Sequence, residues 1–329
     1  MHTIAIRSLI DNQYLLKTAH TKYDLQDIKS CRLLKFGGSN DIFLLESEKR
    51  KLILKIFFAR QCWDYSESHY LFELELQQHL NQNGIAASKP ITNKLGKLVD
   101  KIVLAEGERF FAVYEFNNGK KWDHATITDQ RLYKLGRILA KFHQLSPILT
   151  GSEQRKLDIN LMLDKSWNSI DSLIKLPSIS IKRKLYEIYI EIKQQAQNLI
   201  KNPELVLIHG DTHCGNHLYN SKTDTITLID FELCSYGMVN YELSVLKHDL
   251  INNRHKSTFI NKVMEQFLNG YASASSNYVD LKQINFFVKA RYFFMLGASF
   301  LFYPDKTEFN NEYILNNFIK AIHKANKLD

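Results

Sequence analysis

"IHGDTHCGNHLYN" (residues 208–220) and "LIDFE" (228–232) together decide how this chain is read. The first stretch crowds His209, Asp211, His213, Cys214, Asn216 and His217 into one short span. Such a composition fits a metal cage, a proton-transfer site or an ordinary polar loop. The segment between them resolves much of this. "NHLYN", then "SKTD", then "TITLIDF" reads as strand, turn and strand of an antiparallel hairpin. With the turn centred near Thr223, Asn216 and Asp230 are expected side by side at the open end. Asp211 lies in the loop that enters that same end. These side chains offer hard oxygen donors of the kind Mg2+ takes, usually with substrate phosphates completing its shell. A metal flanked by a carboxylate is the arrangement phosphoryl transfer needs, because it neutralises charge and orients a nucleophile. A zinc site built from His209, His213, Cys214 and His217 is not expected. On a strand His217 and Asn216 face opposite sides, and no further Cys/His pair stands at a usual finger spacing.

Outward from the hairpin, the chain divides into a β-rich part and a helical part. From about residue 31 to 116 it reads mostly as strand. "CRLLKFGGSNDIFLLES" has apolar residues on both sides of a Gly37-Gly38-Ser39-Asn40-Asp41 turn. "KLILKIFF" carries a single lysine, Lys55, among apolar neighbours, and "RFFAVYEF" (109–116) is a further strand. Between the last two, "SHYLFELELQQHLNQNG" reads as a helix stopped by Gly84, with Phe72, Leu76 and Leu80 on one face. After Asn117-Asn118-Gly119 the periodicity turns helical. Leu132, Leu135, Leu139 and Phe142 form an amphipathic stripe, "IKRKLYEIYIEIKQQAQNLI" is another helix, and 258–323 is largely helical. The expectation is an α+β fold of two lobes, residues 1–116 small and β-rich, 117–329 larger and mostly helical.

The bulk composition bounds the function without choosing it. The 329 residues are 45% hydrophobic and 24% charged, ordinary values for a globular protein with ample chain for a core. The net charge of +8 suits a phosphate-bearing ligand, but Lys and Arg are scattered and no nucleic-acid-binding signature appears. Cys31, Cys62, Cys214 and Cys234 form no CxxC pair, so reduced thiols are expected. The N-terminus lacks a signal-peptide pattern. The most apolar run, Tyr292–Tyr303, is too short for a membrane span and reads as a buried core helix. A cytoplasmic protein with no membrane or nucleic-acid partner is the expectation.

"HGDTHCGN" followed by "IDFE" resembles the HGDxxxxN and DFD/DFE motifs of the aminoglycoside-phosphotransferase, choline-kinase and related families of the protein-kinase-like superfamily. The likeness continues upstream through the glycine-rich turn ending in "SND", Lys55, the helix "ELELQQHLNQNGI" and "LGRILAKFH", over roughly residues 25–300. It is the order of these motifs that is specific. The resemblance implies a bilobal kinase-like fold with ATP and Mg2+. It implies that Asp211 accepts or orients the hydroxyl proton, that Asn216 and Asp230 hold the metal, and that Lys55 holds the nucleotide phosphates. The acidic partner of Lys55 is expected to be Glu73 rather than Glu75, because Glu73 lies nearer the centre of the apolar face. Gly37, Gly38 and Ser39 would form the turn over the phosphates with backbone donors, and Glu115 and Phe116 would sit at the adenine hinge. Glu232 and His213 are candidates for contact with substrate or a second metal. His209 would brace the catalytic loop, and Cys214 reads as a packing residue. Where many relatives carry Asp-Leu-Ala, this chain reads "YELSVL", so Glu242 stands in for the aspartate that braces the loop.

The implied activity is transfer of the ATP γ-phosphate to a hydroxyl of a small molecule: an aminoglycoside, choline or another amino alcohol, homoserine or a similar metabolite. Two alternatives stand beside it. "FFAVYEF…GKKW…LGRILAKFHQL" also resembles a bacterial stress-response Ser/Thr protein kinase of the same superfamily. A catalytically silent nucleotide-binding relative is the other, although degenerate copies usually lose residues retained here. Trp122, Trp167, Tyr236 and Tyr292 suit an aromatic acceptor pocket but are equally at home in a core. The acceptor itself, ATP against GTP, and the oligomeric state are not written in the motifs.

Overall fold

The computed structural model describes residues 9–36, 40–57, 66–122, 127–145, 154–173, 179–302 and 312–325. The glycine-rich turn of Gly37, Gly38 and Ser39, and Cys62, lie outside them. The described chain forms two compact units that divide between Gly119 and Lys120.

The first unit is an antiparallel sheet covered on both faces. Its elements are α1 (Asn12–Lys22), β1 (Ser30–Phe36), β2 (Asn40–Glu46), β3 (Lys51–Phe57), α2 (Glu67–Gln82), β4 (Pro90–Ile91), β5 (Asp100–Leu104) and β6 (Gly107–Glu115). The strand order is β1-β2-β3-β6-β4, with β5 also paired to β6. Period-two alternation sorts the side chains. Leu54 and Ile56 of β3 and Phe111 and Val113 of β6 join Leu15 and Ala19 of α1 in one buried layer. Phe57, Phe110, Ala112 and Tyr114 join Tyr70 and Leu74 of α2 in the other. The sequence reading placed no helix at residues 12–22. Only Leu15, Thr18 and Ala19 of α1 are buried, too narrow a stripe to register as a period; its start is marked instead by Asp11, whose carboxylate accepts from Tyr14 N–H at 2.8 Å.

The second unit is mostly helical. It runs β7 (Lys120–Lys121), α3 (Asp129–His143), β8 (Lys156–Leu157), a π-helical turn (Asn160–Lys165), α4 (Ser166–Leu173) and α5 (Ile179–Leu199). Then come β9 (Val206–Ile208), β10 (His217–Asn220), β11 (Thr225–Leu228), β12 (Ser235–Gly237), α6 (Val239–Asn252), α7 (Ser257–Ala272), α8 (Leu281–Phe302) and α9 (Glu312–Ala325). Its strands form two small sheets, β11-β10-β7 and β8-β12-β9. The stripe of Leu132, Leu135, Leu139 and Phe142 is buried in α3, which packs on α7. The two helices touch at Gly136 and Gly270. A Cβ on Gly136 would lie 2.1 Å from the Phe267 carbonyl oxygen, and one on Gly270 would lie 2.0 Å from that of Tyr133. Residues 292–294 and 296–298 lie buried in α8, and among the described residues no helix is long and apolar enough to cross a membrane. The two- and three-residue strands β8, β9 and β12 are too short to show any period, which is why the sequence reading did not resolve them.

Candidate active site

In the first unit, strand alternation aims Lys55 away from the Leu54/Ile56 layer and toward α2. Its ammonium meets Glu73 at 2.8 Å and lies 4.9 Å from the centre of the Phe57 ring. Glu73 is fully buried and Lys55 is 6% exposed, so this pair exchanges little with water and holds one geometry. Nearby, buried Arg109 of β6 ties strand ends together. Its guanidinium donates to the carbonyls of Ile56 (3.3 Å) and Phe57 (2.9 Å) and pairs with Asp41 at 3.1 Å. Asp41 is the second residue of β2, so the pair anchors the start of that strand. At the end of β6, Glu115 pairs with Lys89 at 2.7 Å, and Phe116 receives the Lys51 ammonium at 6.0 Å. The Glu115 N–H already donates to the Lys89 carbonyl at 2.9 Å.

In the second unit, the β10–β11 hairpin sets the geometry. His217 opposes Leu228, and Ile229 N–H donates to the Asn216 carbonyl at 3.0 Å. Asn216 is thus in register with Ile229, and Asp230 lies one residue beyond, rather than directly across as the turn position had suggested. The reason is the length of the turn: four residues, Ser221–Asp224, separate the paired Asn220 and Thr225, so the hairpin centre falls between Lys222 and Thr223. Asp230 then leaves the strand at φ +65°, a left-handed conformation uncommon for a residue with a side chain and tolerated best by Asn and Asp. Departures of this kind concentrate at functional sites.

Asp211 is held from several sides. The Asn216 amide nitrogen donates to Asp211 Oδ2 at 3.0 Å and to its backbone carbonyl at 2.9 Å. Both partners are acceptors, so the amide nitrogen must face Asp211 and the amide oxygen faces away from it. Oδ1 of Asp211 is paired with Arg291 of α8. Oδ2 lies 3.6 Å from His213 Nε2, with Asp211 23% and His213 36% exposed in their side chains. His213 Nδ1 accepts from Gly215 N–H at 3.0 Å, which leaves the ring proton on Nε2, facing the carboxylate.

Behind the loop, Gly210 has φ +80°, and a Cβ there would sit 2.3 Å from the Leu233 carbonyl oxygen, so only glycine fits. Its N–H donates to Glu242 Oε2 at 2.8 Å, and the Thr212 hydroxyl donates to Glu242 Oε1. Glu242 is fully buried in the first turn of α6. His209 accepts from Asp211 N–H through Nδ1 at 3.3 Å and donates from Nε2 to the Ile229 carbonyl at 3.0 Å. Its ring lies 4.4 Å from that of Phe231. The carbonyl of Glu232 is held by buried Arg155 at 2.9 Å.

His217 and Cys214 are each buried in separate surroundings. His217 is buried edge-on to Trp122 at 5.3 Å, and burial, reinforced by His209 and His213, keeps it neutral far below the usual histidine range. The Cys214 thiol is buried and pushed well up by burial and by Asp249, while its N–H donates to that carboxylate at 3.0 Å. Arg291 is the site-lining residue that sequence reasoning passed over. The available signal was a charged residue immediately before the apolar run of α8, where burial demands a partner.

The sequence profile of the phosphotransferase enzyme family matches residues 30–276. Amicoumacin kinase of Bacillus subtilis (strain 168) is 25% identical over 281 residues, covering 81% of this chain and 78% of that protein. A homoserine kinase of Agrobacterium fabrum (strain C58) is 25% identical over 233 residues, covering 70% of this chain and 67% of that protein. Among solved structures, amicoumacin kinase hAmiN in complex with AMP-PNP, Ca2+ and Ami gives a TM-score of 0.73 at 24% identity, covering 96% of this chain and 94% of that one.

Proposed function

The chain belongs to the phosphotransferase enzyme family, with the α+β, protein-kinase-like fold of its structural neighbours, and from that membership we propose that it is an ATP-dependent kinase acting on a hydroxyl of a small-molecule acceptor. The observation that carries this reading is the setting of Asp211: a part-exposed carboxylate whose Oδ2 is fixed by Asn216 at 3.0 Å. Amino alcohols, homoserine and hydroxylated antibiotics such as aminoglycosides are the acceptor classes in view.

Asp211 Oδ2 accepts the hydrogen bond of the acceptor hydroxyl and aims its oxygen for in-line attack; in phosphoryl transfer such positioning and electrostatics supply most of the rate. The donor set fits Mg2+: the Asn216 amide oxygen faces away from Asp211, and Asp230 adds a carboxylate from a left-handed backbone. When bound, the metal neutralises charge on the nucleotide phosphates. Lys55, held by Glu73, is a fixed cation of the kind nucleotide phosphates bind, and Arg109–Asp41 steadies the strand end at Asp41. His213, two residues past Asp211, and Glu232, two residues past Asp230, are the candidates for contact with the acceptor or a second metal.

The test supplies γ-labelled ATP and Mg2+ to the purified protein, with homoserine, choline, 1-amino-2-propanol, kanamycin and a protein extract as separate acceptors. Label entering a small molecule, lost by about 10²–10⁴-fold in Asp211→Asn, supports the reading. Label entering polypeptides instead turns it toward a Ser/Thr protein kinase. AMP-PNP binding with no transfer to any acceptor or to water refutes it in favour of a silent nucleotide-binding protein.

A further inference from the structure

Arg291 lies in the middle of α8 and is 3% exposed. Its guanidinium spans three groups around the catalytic loop. Nη1 donates to the Gly210 carbonyl at 3.2 Å and to the Tyr241 hydroxyl at 2.5 Å, and Nη2 pairs with Asp211 Oδ1. The Tyr241 hydroxyl, fully buried on α6, donates its own hydrogen bond to the same Gly210 carbonyl at 3.2 Å. The planar fork therefore grips the backbone just before Asp211 and one oxygen of its carboxylate together, a two-point hold that an ammonium cannot reproduce. With Oδ1 engaged from the buried side, only Oδ2 faces the part-exposed His213. Bonds at both oxygens fix the carboxylate plane, and that plane decides where a hydroxyl hydrogen-bonded to Oδ2 can sit.

We propose that Arg291 is a positioning residue for phosphoryl transfer, fixing the Asp211 carboxylate so that Oδ2 alone is presented to the acceptor hydroxyl. The inference rests on the reading of Asp211 given above. Arg291 touches neither nucleotide nor acceptor; it acts through Asp211. Its removal slows the chemical step and leaves nucleotide binding intact, because Lys55, Asn216 and Asp230 are untouched by it.

The experiment compares wild type, Arg291→Ala and Arg291→Lys. It measures kcat and KM with whichever acceptor of the panel is phosphorylated, ATP hydrolysis to water, AMP-PNP affinity, and the melting curve. Displacing a reacting group by about 1 Å costs on the order of 100-fold, so Arg291→Ala is expected to lose about that in kcat. AMP-PNP affinity should stay within about twofold of wild type, a change of under about 0.5 kcal/mol. Guanidinium chloride at tens of millimolar, filling the vacated space, should restore at least about tenfold of the lost rate, while ammonium chloride restores none. Arg291→Lys covers a failure of the alanine variant to fold; it keeps the cation but not the fork, and is expected to lose about tenfold in kcat. A folded Arg291→Ala or Arg291→Lys with wild-type kcat overturns the inference alone. Loss of AMP-PNP affinity in step with kcat, without guanidinium rescue, overturns it in favour of a purely structural arginine. A wild type that transfers phosphate nowhere removes the underlying reading, and the inference with it.

Discussion

Glu242 offers the sharpest quantitative test of how the loop carrying Asp211 is held. Its two carboxylate oxygens take different donors, Gly210 N–H at 2.8 Å and the Thr212 hydroxyl, and those donors flank Asp211. Each hydrogen bond to a charged, buried acceptor contributes about 1.5–3 kcal/mol, so Glu242→Ala, which strands both donors, should cost about 3–6 kcal/mol. At roughly 2–4 °C per kcal/mol for a unit of this size, the melting temperature should fall by about 6–24 °C. Glu242→Asp restores the residue type that many relatives carry, yet shortens the side chain by about 1.5 Å. Here the helix position suits the longer side chain, so Asp reaches one donor and should lose about half as much. Glu242→Gln keeps the reach; its oxygen serves Gly210, its nitrogen can donate to a rotated Thr212 hydroxyl, and only the charge is lost, about 1 kcal/mol. Circular-dichroism melts and phosphate-transfer rates should therefore both rank wild type, Gln, Asp, Ala. An aspartate variant as stable and as active as wild type would refute the argument from reach, and a glutamine variant as damaged as alanine would refute the argument from geometry.

Three further outcomes follow from other parts of the fold. Lys55→Met leaves Glu73 buried beside no lysine and should destabilise the first unit by about 3–5 kcal/mol, whereas Lys55→Met with Glu73→Leu should recover most of that while phosphate transfer stays lost; denaturant melts showing the double variant no more stable than the single would contradict this. Gly136→Ala would place its Cβ 2.1 Å from the Phe267 carbonyl oxygen, so α3 and α7 must separate, at about 1–3 kcal/mol or more; an unchanged urea midpoint would count against that helix contact. His143 is fully buried against the Tyr271 hydroxyl, and burial lowers its pKa from 6.5 to about 3. The unfolded chain therefore binds a proton that the folded chain refuses between these values, and stability present above pH 6.5 is lost as pH falls toward 3. By pH 5.5 this one residue should cost about 1.4 kcal/mol, with His217 acting in the same direction. His143→Phe should flatten the acid limb of stability against pH, and an equally steep limb in that variant would exclude the histidine as its source.

The elements legible in the chain were those whose chemistry repeats locally. Strand alternation around Lys55, the 3.6-residue stripe of Leu132, Leu135, Leu139 and Phe142, and the polar turn between "NHLYN" and "TITL" each span enough residues to declare a period. The spacing of Asp211, Asn216 and Asp230 likewise needs only one hairpin to be understood, and Glu73 needs only its place on the apolar face of α2. Folding in space settled what local periods do not encode. The apolar neighbours Leu54 and Ile56 do not by themselves say which way Lys55 points; α2, covering its face of the sheet, does. The half-residue shift that puts Asn216 opposite Ile229 depends on the pairing of Asn220 with Thr225 across a four-residue turn, not on composition. Arg291 sits 80 residues from Asp211, a separation at which no local pattern survives. Their pairing arises because α6 and α8 pack together, and because a guanidinium buried in that packing must find acceptors, which the loop at Gly210 and Asp211 provides.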